Sequence, residues 1–89
     1  MRYTYNLISL KTKQIYTGST FNLKQRLKDH NAQRGGQYSS RNTPFELLHY
    51  EAFNTKEEAL KQEKFYKSGY GKEVLKEKIK KTLEKYRNN

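Results

Sequence analysis

The sequence contains no cysteine and no long apolar run. Without cysteine, a disulfide scaffold and a cysteine-rich zinc site are both excluded. No stretch approaches the roughly 20 apolar residues that a membrane-spanning helix needs, and the N-terminal segment MRYTYNLISLK lacks the apolar core of a signal peptide. We therefore expect a cytoplasmic protein without a membrane segment. A chain of 89 residues suffices for one domain, and we expect residues 1–89 to form it.

Acidic residues are also scarce. The chain has nine aspartates and glutamates and 19 lysines and arginines, so its net charge is +10. A field of that sign concentrates polyanions, and nucleic acid is the first candidate. Anionic lipid is the rival partner, because the lysine-rich C-terminal segment resembles a basic amphipathic helix. Eight tyrosines favour nucleic acid modestly, since aromatic rings among basic residues stack on bases.

Alternation and turn signals predict the first half of the fold. Residues 2–10 alternate with the period of a strand, and residues 14–17 form a second short strand that ends at Gly18. A helix follows to about Asn31. Glycines, serines and a proline mark the next segment as a loop, and residues 45–53 are long and aromatic enough for a third strand.

Helices make up the rest. The segment TKEEAL is a capping box, with Thr55 as N-cap and Glu58 at the third helical position. That helix ends at about Lys67, where the glycines of SGYG are expected to supply the C-cap. Residues 72–86 repeat apolar positions at helical spacing. The predicted class is α+β, with a small three-stranded mixed or antiparallel sheet flanked by helices in the order β-β-α-β-α-α.

Charged residues occupy faces that should be apolar. On the first helix, Arg26 and His30 share an arc of about 100° with Leu23 and Leu27, and Glu63 lies within the apolar face of the second helix. Burying such groups unpaired costs several kcal/mol each. An internal salt bridge between Arg26 and Glu63 would explain this arrangement, and so would helix edges more exposed than the wheel implies.

A polar pocket is the third explanation. Tyr5 and Tyr16, on neighbouring strands, would line it together with Arg26, His30 and Glu63. A glutamate can hold Mg²⁺, which binds to one or two carboxylates and keeps several waters. Arginine forks onto phosphate oxygens, and a tyrosine or histidine can accept a proton from water. This set of groups suits phosphodiester hydrolysis.

The order and spacing of these residues resemble the GIY-YIG endonuclease family over about residues 2–80. The first motif of the family corresponds to the segment Tyr3–Tyr5. The second corresponds to Tyr16–Gly18, and its tyrosine lies eleven residues after Tyr5. GSTFNLKQRLKDHN is similar to the family's arginine segment, and EALKQEKFYK to its glutamate motif. Tyr3, Thr4 and Thr17 depart from the motif at positions that tolerate variation. The family fold agrees with the predicted element order.

The resemblance implies a metal-dependent endonuclease that cleaves a phosphodiester bond by water attack with one divalent ion. Glu63 would coordinate Mg²⁺, or Mn²⁺ as a substitute, and Arg26 would clamp the scissile phosphate. Tyr5 or Tyr16 would position or deprotonate the attacking water, and His30 would assist the proton transfer. Which tyrosine acts as the base is left open at this point.

Further contacts and partners are expected around this centre. The residues expected to approach phosphates are Gly18, Arg34, Arg41 and Lys67. The expected partner is double-stranded or branched DNA, with a partner protein or a homodimer supplying specificity or the second cut. One alternative is a nuclease-like module that binds nucleic acid without cutting it. A third hypothesis, a membrane-surface protein, accounts only for the C-terminal segment.

Overall fold

A computed structural model describes residues 1–32 and 42–87 of the chain. Within these ranges the chain forms a three-stranded antiparallel sheet and four helices, which confirms the predicted α+β class. The elements are β1 (Arg2–Ser9), β2 (Ile15–Thr20), α1 (Leu23–Asn31), β3 (Phe45–Phe53), α2 (Lys56–Lys67), α3 (Gly69–Lys78) and α4 (Lys80–Arg87). Over the same ranges, none of the helices is long and apolar enough to span a membrane.

β1 is the centre of the sheet, because the strand order is β2-β1-β3. Every residue of β1 from Thr4 to Ser9 is buried, since helices cover both faces. On one face Tyr5 and Leu7 pack with residues of α1. On the other, Ile8 packs with residues of α2, α3 and α4. The alternation predicted from period two is present, but neither face of the strand meets solvent.

Side-chain caps fix where the helices begin. Asn22 precedes α1, and its Oδ1 accepts from the backbone N–H of Gln25 at 3.1 Å. Thr55 precedes α2, and its Oγ1 accepts from the N–H of Glu58 at 3.2 Å, as the capping box predicts. Within the core, the Thr4 hydroxyl donates to the carbonyl of Ala59 at 2.6 Å. That buried contact fixes α2 against the central strand.

The end of the second strand was predicted wrongly. β2 does not stop at Gly18 but continues to Thr20. Gly18 pairs with Tyr5 inside the ladder, so it is a strand residue and does not end the strand. The glycine instead allows the close approach of the Tyr5 ring. The chain turns only at Phe21 and Asn22, after the last paired residue.

The C-terminal half also differs from expectation. Gly69 and Gly71 do not form a C-cap; both lie inside α3. Ser68 ends α2 and caps α3 at the same time. The predicted single helix over residues 72–86 is two helices, because at Ile79 the backbone leaves helical geometry, with φ −109° and ψ 26°. The change of direction leaves Ile79 and Leu83 both buried.

Candidate active site

The Tyr5 hydroxyl is the meeting point of two side chains from α1. Arg26 Nε donates to Tyr5 Oη at 3.3 Å, and His30 Nε2 lies 3.2 Å from the same oxygen. Only 2% of Tyr5 is exposed. Three of the five candidate catalytic residues are therefore in direct contact, and the central strand holds the one in the middle.

The orientation of α1 brings these side chains inward, as the helical wheel predicts. His30 is fully buried and Arg26 is partly buried. The imidazole packs edge-on against the Tyr16 ring, with centroids 4.8 Å apart, and against Phe45 at 5.6 Å. Tyr16 thus joins the cluster through its ring contact with His30. It is half-buried and lies on the edge strand, nearer to solvent than Tyr5.

Gly18 makes room for the Tyr5 ring. The two residues face each other in the β1–β2 register. A Cβ added at position 18 would lie 2.4 Å from Tyr5 Oη and 2.6 Å from its Cζ, closer than a side chain can approach. The absence of a side chain at Gly18 lets the phenol lie across β2 and reach α1.

Electrostatics set the protonation states of the cluster. Burial, followed by the nearby Arg26 charge, lowers the pKa of His30 to about 4, so the imidazole is neutral at pH 7. Burial raises the pKa of Tyr5, so the phenol keeps its proton. Hydrogen bonding to Tyr5 raises the pKa of Arg26. Arg26 therefore donates to Tyr5, and the Tyr5 O–H is left to donate to an unprotonated Nε2 of His30.

Glu63 lies on α2, and 19% of its side chain is exposed. Its carboxylate accepts from Lys67 Nζ at 2.6 Å. The expected alternative, an ion pair between Glu63 and Arg26, is absent from the part of the chain that the structure describes; Arg26 contacts Tyr5 instead. Glu63 is nonetheless within electrostatic range of the cluster, because its charge contributes to the raised pKa of Tyr5.

A divalent cation would find one carboxylate here. Among the described residues, no group of three or more histidine, aspartate or glutamate side chains is placed to hold a metal. One partly exposed glutamate nevertheless fits Mg²⁺, which takes one or two carboxylates and fills its shell with water. Lys67 occupies the Glu63 carboxylate in this structure, so a cation binding there would displace the ammonium group.

Two candidate phosphate contacts, Arg34 and Arg41, lie outside the described residues. The structure instead supplies a residue that the sequence did not single out. Arg2 and Arg26 border the same cavity, of about 400 Å³, at the end of β2. The Arg2 guanidinium lies 5.7 Å from the centre of the exposed Phe21 ring. Nothing local in the sequence signals this pairing, because Arg2 and Arg26 meet only through the fold.

A second polar cluster, on the opposite face, was also missed. Glu51 accepts hydrogen bonds from Tyr66, from His49 at 2.9 Å and from Gln62 at 3.1 Å. Burial acts to raise the pKa of Glu51, but the hydrogen bonds from Tyr66 and His49 and the charge of Lys78 outweigh it and hold the pKa below its usual value. His49 lies on the same strand as Glu51 and supports its carboxylate, and that carboxylate joins β3 to Tyr66 and Gln62 of α2.

A nuclease-type catalytic domain is the class that this fold defines. The family model described as the GIY-YIG catalytic domain matches residues 1–86. The chain therefore belongs to the GIY-YIG family, whose nucleases generally use divalent metal ions and act on DNA.

Similar proteins carry the name UPF0213. UPF0213 proteins of Streptococcus pyogenes serotypes M5 and M1 are each 46% identical to this chain over 55 residues. The match covers 62% of this chain and 60% of each relative, so it spans less than two thirds of their length. The solution NMR structure of a UPF0213 protein from Bacillus halodurans is 37% identical, with a TM-score of 0.50. That match covers 84% of this chain and 82% of the other.

Proposed function

We propose that this protein is a metal-dependent DNA endonuclease that hydrolyses a phosphodiester bond by attack of water. The observation that carries the proposal is the contact of Arg26 and His30 with the Tyr5 hydroxyl, within electrostatic range of Glu63. A fold of this size gains little stability from a buried arginine and histidine. Binding of a phosphate by the guanidinium would explain why Arg26 and His30 are placed against Tyr5.

Arg26 binds the scissile phosphate in this scheme. Its Nε is committed to Tyr5, and the guanidinium also hydrogen-bonds with Tyr16. These contacts orient the guanidinium, and its remaining N–H donors can meet phosphate oxygens. Arg26 borders the cavity at the end of β2, so an incoming phosphate can reach it from solvent. Arg2, on the same cavity, supplies a second positive charge. Both charges offset the negative charge that grows on the phosphate in the transition state.

Tyr16 is the better placed of the two tyrosines to meet the attacking water. Both tyrosines hydrogen-bond with Arg26, but they differ in exposure. Tyr5 is 2% exposed, whereas Tyr16 is half-buried on the edge strand, where water can reach it. We assign Tyr5 to positioning Arg26, and Tyr16 to orienting the water. The Tyr16 phenol can take a proton from that water only after it has released its own to solvent, and the Arg26 charge and the divalent cation would favour that release. His30 acts through its neighbours, because it is fully buried. It stays neutral at pH 7 and ready to accept a proton through Tyr5.

Glu63 holds the divalent cation. A bound Mg²⁺ or Mn²⁺ supplies Lewis-acid polarisation of a phosphate oxygen and lowers the pKa of bound water. Lys67 is paired with Glu63; with a cation on the carboxylate, Lys67 would lose this partner and would be available to a substrate phosphate. The Lys67–Glu63 ion pair also favours the second candidate, a module that binds without cutting, because it neutralises the carboxylate that would repel DNA.

A cleavage assay separates these functions. The protein is incubated with supercoiled plasmid and with branched DNA, in Mg²⁺, Mn²⁺ or chelator. We expect metal-dependent cutting that falls at least about 100-fold in Arg26→Ala and in Glu63→Gln. Glu57→Gln is the matched control, since that glutamate is exposed on the first turn of the same helix. It should cut like the wild type.

Binding and stability complete the test. Glu63→Gln should keep or improve DNA affinity in chelator, because it removes a charge that repels phosphate. Tight binding without cutting on any substrate, in either metal, would overturn the enzyme in favour of the binding module. A thermal melt showing Glu63→Gln unfolded would make Glu63 a structural residue. A double-strand cut by one small site would need a second copy or a second visit, which product analysis of plasmid nicks would reveal.

A further inference from the structure

A large groove lies beside the candidate active site, and most of the residues that border it have no role in the proposed reaction. It has a volume of about 990 Å³ and separates the β1–β2 turn and the edge strand from α3 and α4. Tyr16 and Lys67 both border it, and Lys67 is the residue paired with Glu63. The groove therefore opens at the site where the proposed reaction takes place.

Four lysines and no acidic residue border this groove among the described residues. Lys72 and Lys76 lie one turn apart on α3, Lys67 ends α2, and Lys13 faces them from the β1–β2 turn. Lys67 pairs with Glu63, and Lys76 is 3.8 Å from Glu73. Lys13 and Lys72 form no ion pair with any residue that the structure describes. Their charges are available to an anion.

Lys13 adopts a backbone conformation that favours glycine. Its φ is +65°, in the left-handed region where a side chain costs free energy. The turn is closed by the Lys13 N–H, which donates to the Ser9 carbonyl at 2.8 Å. A glycine would fit this position without strain, yet the chain places a lysine there. Such strain at a non-glycine residue points to a role for the side chain.

The floor of the groove is apolar. Ile15 and the rings of Tyr16 and Tyr86 are half-buried there, above the buried core residues Ile8, Leu75 and Leu83. Duplex DNA presents phosphates outward and covers its bases, so it has nothing to place on such a floor. An unpaired strand offers exposed base faces together with a phosphate chain. A basic rim beside aromatic rings on which bases stack is the combination that binds single strands.

We propose that this groove binds an unpaired segment of the nucleic-acid substrate, with Lys13 and Lys72 on its phosphates and its bases on the apolar floor. This inference rests on the proposed function for one point only, that the segment continues from the scissile phosphate near Tyr16. It identifies the substrate as nucleic acid with an unpaired strand next to the cut, such as a flap, a bubble or a free single strand.

The test measures binding in chelator, so that cutting does not interfere. A fluorescent single-stranded oligonucleotide and a blunt duplex of the same sequence are titrated with protein over a range of salt. The groove variant is Lys13→Gly with Lys72→Ala. The control is Lys61→Ala with Lys85→Ala, which removes the same charge from exposed lysines of α2 and α4 that do not border the groove.

We expect the groove variant to bind the single strand about tenfold more weakly than the control variant does. Its plot of log affinity against log salt should be shallower, by about 0.7 for each phosphate that the variant no longer neutralises. Duplex affinity should fall no more than in the control. Lys13→Gly should keep or raise the melting temperature, because it relieves the left-handed residue. Weaker binding by that variant is then not a folding defect.

Three results would overturn the inference. The groove and control variants could lose the same single-strand affinity. The groove variant could lose as much affinity for the duplex as for the single strand. Anionic phospholipid vesicles could compete with the single strand for the groove at equal phosphate concentration.

Failure of the proposed function would give a different pattern. If the wild type cuts nothing in Mg²⁺ or Mn²⁺ while the groove variant still loses single-strand affinity, the enzyme is wrong and the groove stands. If cutting is normal and groove variants bind normally, only the groove is wrong.

Discussion

His30 is the residue whose environment departs furthest from that of an ordinary surface side chain. It is fully buried among Tyr5, Tyr16 and Phe45, and its pKa is lowered from 6.5 to about 4. The same burial that keeps the ring neutral for a role in proton transfer makes the fold sensitive to acid. In the unfolded chain the imidazole returns to its ordinary pKa.

This shift predicts how stability depends on pH. Between pH 6.5 and about 4, the unfolded chain binds a proton at His30 that the folded chain does not bind. The free energy of unfolding is therefore highest above pH 6.5 and falls as the pH drops, by about 3 kcal/mol in total. Urea unfolding followed by circular dichroism at several pH values measures the slope. His30→Phe should flatten it.

A matched variant and a restricted pH range isolate the contribution of His30 to stability. His49→Gln is the matched control, because it removes an imidazole that contacts Glu51 and not the buried cluster. Glu51 adds an acid-dependent loss of its own, because its pKa is lowered. Stability from a depressed carboxyl is present above the unfolded value, 4.5, and is lost as the pH falls further. Measurements above pH 4.5 therefore report His30. An unchanged slope in His30→Phe would contradict the assignment.

The junction of α2 and α3 shows how a local contact connects two helices without a linker. The Ser68 hydroxyl donates to the Phe65 carbonyl at 2.6 Å and accepts from the Gly71 N–H at 3.0 Å. It thus satisfies the end of one helix and the start of the next. Gly71 approaches the end of α2 so closely that an added Cβ would lie 1.7 Å from the Phe65 carbonyl oxygen.

Gly71→Ala should therefore destabilise the fold, by roughly 2–4 kcal/mol, because the backbone of the junction has to move. Gly69→Ala is the matched control. An added Cβ there meets nothing within 4 Å, and alanine favours a helix over glycine by up to about 1 kcal/mol. Thermal or urea unfolding of both variants measures the difference. Equal stability of the two would show that the junction adjusts without cost.

The contacts of these glycines explain which helices and strands could be predicted from the sequence and which could not. The capping box at Thr55 and the alternation of β1 are signals carried by neighbouring residues, and both predictions are confirmed. Gly18 and the glycines after Lys67 were interpreted as helix and strand ends because glycine usually marks them. Here glycine allows close approaches, of Tyr5 at Gly18 and of Phe65 at Gly71. Tyr5 is distant from Gly18 in the sequence, and Gly71 approaches a backbone oxygen of Phe65. A local sequence pattern specifies neither contact.

The features of the candidate site also fall into two groups, those that local spacing in the sequence predicts and those that depend on the fold. The inward direction of Arg26 and His30 follows from spacing on one helix, and the structure has it. Their joint contact with Tyr5 needs the sheet register and the crossing of α1. The contact of Arg2 with Phe21 joins segments that are distant in the chain, and so does the groove that Lys13 and Lys72 both border. Only the fold brings these pairs together.

At the scale of the whole molecule, charge is unbalanced over most of the surface. The chain carries 19 basic and nine acidic residues. Within the described ranges, the lysines that form ion pairs with a carboxylate are Lys67, Lys76 and Lys78. The excess of ten positive charges attracts nucleic acid, and in its absence the basic side chains repel one another. Affinity and stability are therefore coupled through the same charges.

The dependence on salt should separate the effect of the excess charge on nucleic-acid binding from its effect on the stability of the protein. Added NaCl screens exposed charges beyond about 10 Å at 0.1 M, so it weakens nucleic-acid binding but relieves repulsion within the folded protein. We expect the melting temperature of the protein alone to rise with NaCl. Lys61→Glu with Lys85→Glu should start higher and rise less, because that variant already carries less excess charge. A melting temperature that falls with salt would mean that ion pairs such as Lys67–Glu63 and Lys78–Glu51 outweigh the repulsion among lysines.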